Sequence, residues 1–452
     1  MNDFADWLSP IVVKELRQGM RSKVFVGTFT LLQVFMIFCI VTALGEDSQS
    51  GAKAFFWSVV GAALLFGMPM RGAFSISGEI KEKTFELLLL TRLSAKRIIF
   101  GKWVALFLQS LLLVSSILPY VVLRYFLGGV DLVSELTVLG CLLWASALLT
   151  ALAVGVSPYM QGVVGRLCFA FGGVVLLYLS LILASGAFFL RGMTGSSHWE
   201  KMVILLIFTP LFFLVFLDLG IAKISPIGEN HTWRKRLLAL NGIVLAGVAA
   251  AIFGERIFLA WTLLILIAPV CTVAVLEENV MVPSLYRPAL GIGFTRFFGR
   301  LFYPGWTTAV PFTVLAAVGI FLISPLRFAD PGISSFLFAG IGVLLFPLVM
   351  IRVFRREGPI FPLFFGYQVF CFILSIVILA FVSFIGDIAP AMLLPTTGFF
   401  TSLWKWNLLK QSGHGAVISF AILIGSLIIY GLISAREWRN IFQMERKAVE
   451  PN

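Results

Sequence analysis

Residues 78–102 read GEIKEKTFELLLLTRLSAKRIIFGK, a charged, helix-forming block set between two long apolar runs. Within it Ile80, Thr84, Leu87 and Leu88 recur at helical spacing and share one face, while Glu79, Lys81, Glu82, Lys83 and Glu86 cover the rest. Phe85 and Leu87–Leu90 are too apolar to face water alone, so they must pack on the membrane, on the protein or on a partner. Ser94 is placed to cap a second helix that runs through Lys96 and Arg97 into the next apolar run. A polar helix hung between two membrane spans is what a soluble partner needs if it is to push on an embedded protein.

The rest of the chain is consistent with that setting. It has 452 residues, 60% of them hydrophobic and only 12% charged, with a mean hydropathy of +1.00. A soluble domain carries about 25% charged residues. The expected fold class is therefore all-α: a polytopic helical integral membrane protein. The net charge of +12 calls for no nucleic-acid partner, because cytoplasmic loops of such proteins collect Lys and Arg. The five cysteines, Cys39, Cys141, Cys168, Cys271 and Cys371, lie in apolar runs without ligand spacing and read as packing residues. Asp3, Asp6 and the basic segment ahead of the first apolar run predict no cleavable signal peptide.

A helix needs about 20 apolar residues to cross a bilayer. Twelve segments qualify, near 24–44, 54–77, 104–127, 136–157, 167–190, 202–221, 237–253, 257–275, 307–323, 335–351, 360–386 and 416–434. Alternating them from a cytoplasmic N-terminus places 26 of the 34 Lys and Arg inside and 8 outside. That asymmetry predicts about 12 transmembrane helices with both termini in the cytoplasm. If the hairpin around Gly254–Arg256 fails to cross, the count falls to ten with the same orientation.

The chain divides near 222–236, a basic loop, into 1–221 and 222–452, each with six spans. In each half the longest inside loop follows the second span and opens on paired acids, Glu79 and Glu82 in one, Glu277 and Glu278 in the other. This hints at a diverged repeat, although any two six-span halves can look alike. Ser9–Lys23, SPIVVKELRQGMRSK, reads as an amphipathic helix lying in the membrane surface. Ser9 caps it, Pro10 suits its first turn, and Val12, Val13, Leu16 and Met20 oppose Lys14, Arg17, Gln18 and Arg21. The plainer alternative is a positive flank of the first span.

Together these segments resemble the permeases of the type-2, exporter-like ATP-binding-cassette (ABC) transporters. That family shows P-x-x-x-K-E-L-R before its first span, and here Pro10, Lys14, Glu15, Leu16 and Arg17 stand so. After its second span it shows E-x-E-x-G-T-hydrophobic-E-L-L, then P-L-S, then G-K entering the third. Glu79 or Glu82, Thr84, Phe85, Glu86, Leu87, Leu88, Leu93, Ser94, Gly101 and Lys102 match, with Lys83 in place of the usual Gly and Arg92 in place of the usual Pro. The resemblance covers residues 1–220. It implies a coupling helix in which Glu79, Glu82, Thr84, Phe85, Glu86, Leu87 and Leu88 dock on a separate ABC ATPase, present in two copies. It implies an export permease, in a bacterial inner membrane, that binds no cofactor itself. The chain has no G-x-x-x-x-G-K-[ST] phosphate loop, so ATP hydrolysis must come from the partner and the chain is not itself an enzyme. One chain could supply both permease units, or two could pair as a homodimer.

Other function classes find less in the sequence. An ion-coupled secondary transporter usually carries acids or broken helices at mid-membrane, and these span centres are nearly free of charge. A membrane enzyme acting on lipid would need clustered Asp, Glu, His or Arg at one face, which no loop shows. A membrane anchor that recruits the ATPase without transport stays open. Arg71 and Asp218 lie close enough to the inner surface to snorkel or to form a structural pair, the alternative being a pathway role. Arg296 and Arg300 in the 276–306 loop suit lipid phosphate or a second docking element. His198, His231 and His414 are scattered and suggest no metal site, and no catalytic arrangement follows from spacing.

Overall fold

A computed structural model describes residues 10–43, 49–81, 94–127, 131–159, 198–225, 231–253, 256–280, 282, 285, 298–323, 331–354, 360–385 and 414–449. Helices dominate them, and no strand occurs among them. The helices are α1 (Pro10–Arg21), α2 (Lys23–Ala43), α3 (Gln49–Gly61), α4 (Met68–Lys81), α5 (Ala95–Phe126), α6 (Leu132–Val156) and α7 (His198–Ile224). After these come α8 (Thr232–Phe253), α9 (Arg256–Leu276), α10 (Trp306–Ile323), α11 (Pro331–Phe354), α12 (Ile360–Ile385) and α13 (His414–Val449). The chain falls into two compact units that divide between Ile224 and Ser225.

Seven stretches among the described residues are long and apolar enough to cross a membrane. They are Phe55–Lys81, Ala95–Phe126, Leu132–Tyr159, Val203–Ile224, Thr232–Phe253, Trp306–Ile323 and Phe420–Ala448. An eighth is reached if α1 and α2, bent by 58° at their junction, count together. The protein is thus a multi-pass helical membrane protein. Of the remaining spans expected from the sequence, 257–275, 335–351 and 360–386 fall on α9, α11 and α12, whose described apolar stretches are shorter. The span expected at 167–190 lies outside the described residues. The surface of α2 shows what the helices meet: Leu31, Val34, Phe38 and Val41 form a stripe more than half exposed, which only lipid or another apolar surface can cover.

In the first unit, small residues and hydroxyls close the bundle. Gly72 on α4 sits where a Cβ would touch Thr150, Ala153 and Val154 of α6 at 3.3–3.4 Å. A Cβ on Gly155 would fall 1.9 Å from the Phe216 carbonyl oxygen of α7, so only glycine permits that crossing. Between α3 and α4 the helix widens into a π turn, Ala62–Gly67. Pro69 follows it closely in the chain. At π spacing the Leu64 carbonyl would need the N–H of residue 69, and Pro69 has none. Ser146 Oγ donates to that carbonyl at 2.7 Å instead. Ser157 works similarly, donating to Ala73 O at 2.5 Å and accepting from the Ile76 and Ser77 amides, each at 3.1 Å.

The second unit is organised around a buried cation. Arg236 of α8 is fully buried and donates to Leu301 O (2.5 Å), Gly305 O (3.2 Å) and Thr308 Oγ1 (3.0 Å). The peptide carbonyls that hold it come from the turn that ends in α10. Gly305 takes φ +121°, and a Cβ there would lie 2.0 Å from Asn279 Oδ1. Glycine is required at this position for conformation and for space. Tyr430 of α13 donates to Thr307 O, and Trp306 packs edge-on against the same tyrosine ring.

Candidate functional site

The site begins with the short helix α1. Its alternation of apolar and basic residues produces the expected two faces: Ile11 and Val12 are buried, Leu16 and Met20 half-buried, Pro10, Lys14 and Arg17 exposed. Ser22 ends it and starts α2. The Ser22 hydroxyl donates to Gly19 O at 2.7 Å and accepts from the Phe25 amide at 3.2 Å, so one residue closes one helix and caps the next. The 58° bend lies at this junction. The expected cap at Ser9 lies outside the described residues.

Helix α1 rests on the start of α5. A Cβ on Gly101 would meet Ile11 Cγ2 at 3.0 Å, so the glycine lets the two backbones approach. The next residue, Lys102, is only 2% exposed. Its ammonium donates to Glu15 Oε1 of α1 at 2.8 Å and to Glu79 Oε1 of α4 at 2.9 Å. Lys14 stands 3.9 Å from the same Glu79 oxygen, half-exposed. A lysine buried without partners would be costly, and two charge-assisted hydrogen bonds offset that cost. The result is a clamp of three helices: α1, the end of α4 and the beginning of α5.

The clamp lies at the root of the charged block. Glu79 stands three residues before the segment 82–93, and Lys102 nine residues after it. Ser94 caps α5 as expected, accepting from the Arg97 amide at 3.4 Å with its own backbone extended. The other docking residues expected from the sequence, Glu82, Thr84, Phe85, Glu86, Leu87 and Leu88, lie outside the described residues. Four positions quoted for the family resemblance, Glu15, Glu79, Gly101 and Lys102, therefore meet in space although up to 87 residues separate them.

The second unit carries acids and bases in a different arrangement. Glu277, just beyond α9, pairs with Lys235 of α8 and stands 3.6 Å from Arg236 Nη2. Burial pushes the Glu277 carboxyl up, but Lys235 and Arg236 outweigh it and hold it below the usual carboxylate range. Arg300, expected to meet lipid phosphate or a docking partner, is paired within the second unit. Its Nε and Nη2 form a fork on the buried Glu445 carboxylate at 3.0 and 2.9 Å, Tyr303 Oη donates to the same group at 3.1 Å, and Phe442 stacks 4.6 Å from its guanidinium. Glu445 holds the Arg300 guanidinium above its ordinary value, chiefly through this hydrogen bonding. Arg296 lies outside the described residues.

Two charged residues weighed from the sequence also find their places. Arg71 forms no ion pair among the described residues: its Nη2 donates to Gly19 O of α1 at 3.2 Å, and its guanidinium lies 5.0 Å from the centre of the Phe25 ring. Asp218 is 1% exposed within the first unit. Comparison with protein-family models, with curated proteins and with solved structures gives no match. The functional reading therefore rests on the residues themselves.

Proposed function

We propose that this chain is the membrane-embedded permease subunit of an ABC transporter, driven by a separate ATPase that docks on the segment 82–93. The observation that supports it is the Lys102 clamp. Any displacement of 82–93 pulls on Glu79 at one end and on Ser94 and α5 at the other, and Lys102 ties both ends to the surface helix through Glu15. A push from the aqueous side would thus move α4, α5 and α1 as one body. Residues 1–221 form the permease-like region in this reading, and 222–452 a second six-span region. Two ATPase copies, export as the direction, cytoplasmic termini and a bacterial inner membrane complete the proposal. The chain supplies the path and the coupling, and the ATPase supplies the energy.

The test is photo-crosslinking in the native membrane. A photoreactive residue at Phe85 is expected to capture a polypeptide with a phosphate-loop motif, while one at Leu432, a 75% exposed position on α13, captures none. Lipid adducts alone from position 85 would end the docking proposal.

A further inference from the structure

A cavity of about 270 Å³ opens between α1, α4 and α5, beside the clamp. Its walls include Glu15, Ser22, Arg71, Ser75, Glu79 and Gln109. At about 30 Å³ per molecule it has room for roughly nine waters, or for one small polar headgroup. Two polar atoms on its walls are buried without a hydrogen-bond partner among the described residues: Arg71 Nη1, a donor, and Gln109 Oε1, an acceptor. Gln109 is 1% exposed and sits inside an otherwise apolar span. Buried polar atoms of this kind call for a partner.

The charge pattern narrows what that partner is. The cavity is lined by two cations, Arg71 and Lys102, and two carboxylates, Glu15 and Glu79. Lys102 is already held by both acids, while among the described residues Arg71 has only a backbone carbonyl and an aromatic ring. Ser22 and Ser75 commit their hydroxyl protons to Gly19 O and Gly72 O, so they have none to give an anion. A simple anion would find Arg71 but face two carboxylates. A simple cation would face Arg71. A ligand carrying both signs places each against its opposite, with an anionic oxygen on Arg71 and an ammonium toward Gln109 Oε1 and the acids.

We propose that this cavity binds a phosphoethanolamine-type zwitterion, carried on a lipid or free in solution. One wall of the site is α1, which the sequence reads as a membrane-surface helix, and headgroups lie at that level. It does not depend on whether an ATPase docks on 82–93, and it adds a ligand that ties α1 to α4 and α5.

The experiment is native mass spectrometry of the full chain in detergent, titrated with phosphatidylethanolamine, phosphatidylcholine and phosphatidylglycerol of identical acyl chains. Phosphatidylethanolamine is expected to bind one-to-one and at least about fivefold more tightly than the other two, because choline has no N–H to donate and glycerol no cation. Arg71→Gln should weaken it about tenfold, as loss of a charged hydrogen bond does. Gly78→Leu should do the same by filling space, since Gly78 lines the cavity and a Cβ there meets nothing within 4 Å. That variant decides the matter if Arg71→Gln does not fold. Arg21→Gln, an exposed position, should change nothing. Competition by free O-phosphoethanolamine would place the source in water, and its failure to compete would place it in the bilayer; the site stands either way. The proposal is overturned if phosphatidylglycerol binds as tightly as phosphatidylethanolamine. It is equally overturned if phosphatidylethanolamine binds unchanged to variants that melt like the wild type, in which case the cavity holds water only.

Discussion

Replacing Lys102 by Met keeps the length and apolar stem of the side chain and removes its charge. Two carboxylates, Glu15 and Glu79, then lose the cation that sits 2.8 and 2.9 Å from them. Removing one partner of a fully buried ion pair costs about 3–5 kcal/mol. Here the acids are 19% and 17% exposed, so water can solvate them in part. Lys14 also lies near Glu79. Both reduce the cost, and about 2–3 kcal/mol is expected. That is roughly a 30-fold to 150-fold change in the ratio of folded to unfolded protein. The cost should fall if Glu15 is neutralised first. In a double-mutant cycle of Lys102→Met and Glu15→Gln, followed by denaturant unfolding in mixed micelles, the expected coupling is about 1–2 kcal/mol. Hydrogen exchange on the same samples should show the amides of α1 and the end of α4 loosening together. A coupling below about 0.5 kcal/mol, with α1 protection unchanged, would refute the clamp as a mechanical link.

Other features of the fold carry expectations of their own. Gly101→Leu inserts a side chain where even a Cβ lies 3.0 Å from Ile11; it should cost about 1–3 kcal/mol by overpacking and speed exchange in α1, with α13 unaffected. Glu277 has a folded pKa below its unfolded value of about 4.3, so its contribution is fully present above that value and lost as pH falls through the lower folded value. Melting temperatures at pH 3 to 7 should therefore show a component of the acid-side drop that disappears in Glu277→Gln, and identical profiles would exclude the contribution. Glu445→Ala leaves Arg300 and Tyr303 without their shared acceptor; Arg300 is 27% exposed and water can solvate it in part, so about 2–3 kcal/mol of destabilisation is expected, read by thermal unfolding, with Glu445→Gln intermediate.

Periodicity made much of this architecture legible. The two faces of α1 follow from the spacing of Val12, Leu16 and Met20 against Lys14 and Arg17, and the start of α5 follows from Ser94, because caps and amphipathic faces are local. The clamp was only half readable. The residue types were visible in the motifs, but nothing in the chain says that Glu15 meets Lys102, since that depends on how α1 folds back at Ser22. One signal was available: Arg71, Ser75 and Glu79 on α4, and Lys102 and Gln109 on α5, recur at helical spacing and place polar groups on one face of each helix. Arg300 illustrates the opposite case. Its partner Glu445 lies 145 residues on, so a basic loop looked free when it was paired. The π turn ahead of Pro69 was partly legible, because a proline in the middle of the 54–77 span predicts a distorted helix, but only the Ser146 bond to Leu64 O shows how the freed carbonyl is satisfied.

The central claim is that 82–93 receives a soluble ATPase, and its most direct test is co-purification. Tagged wild-type protein and the Phe85→Glu/Leu88→Glu variant would be extracted from the native membrane in a gentle detergent, and the partners identified by mass spectrometry. The account predicts a phosphate-loop ATPase with the wild type, close to two copies per permease assembly, and its loss with the variant while the protein stays monodisperse. Intact wild-type protein that brings down no ATPase, or a variant that retains it in full, would contradict the account.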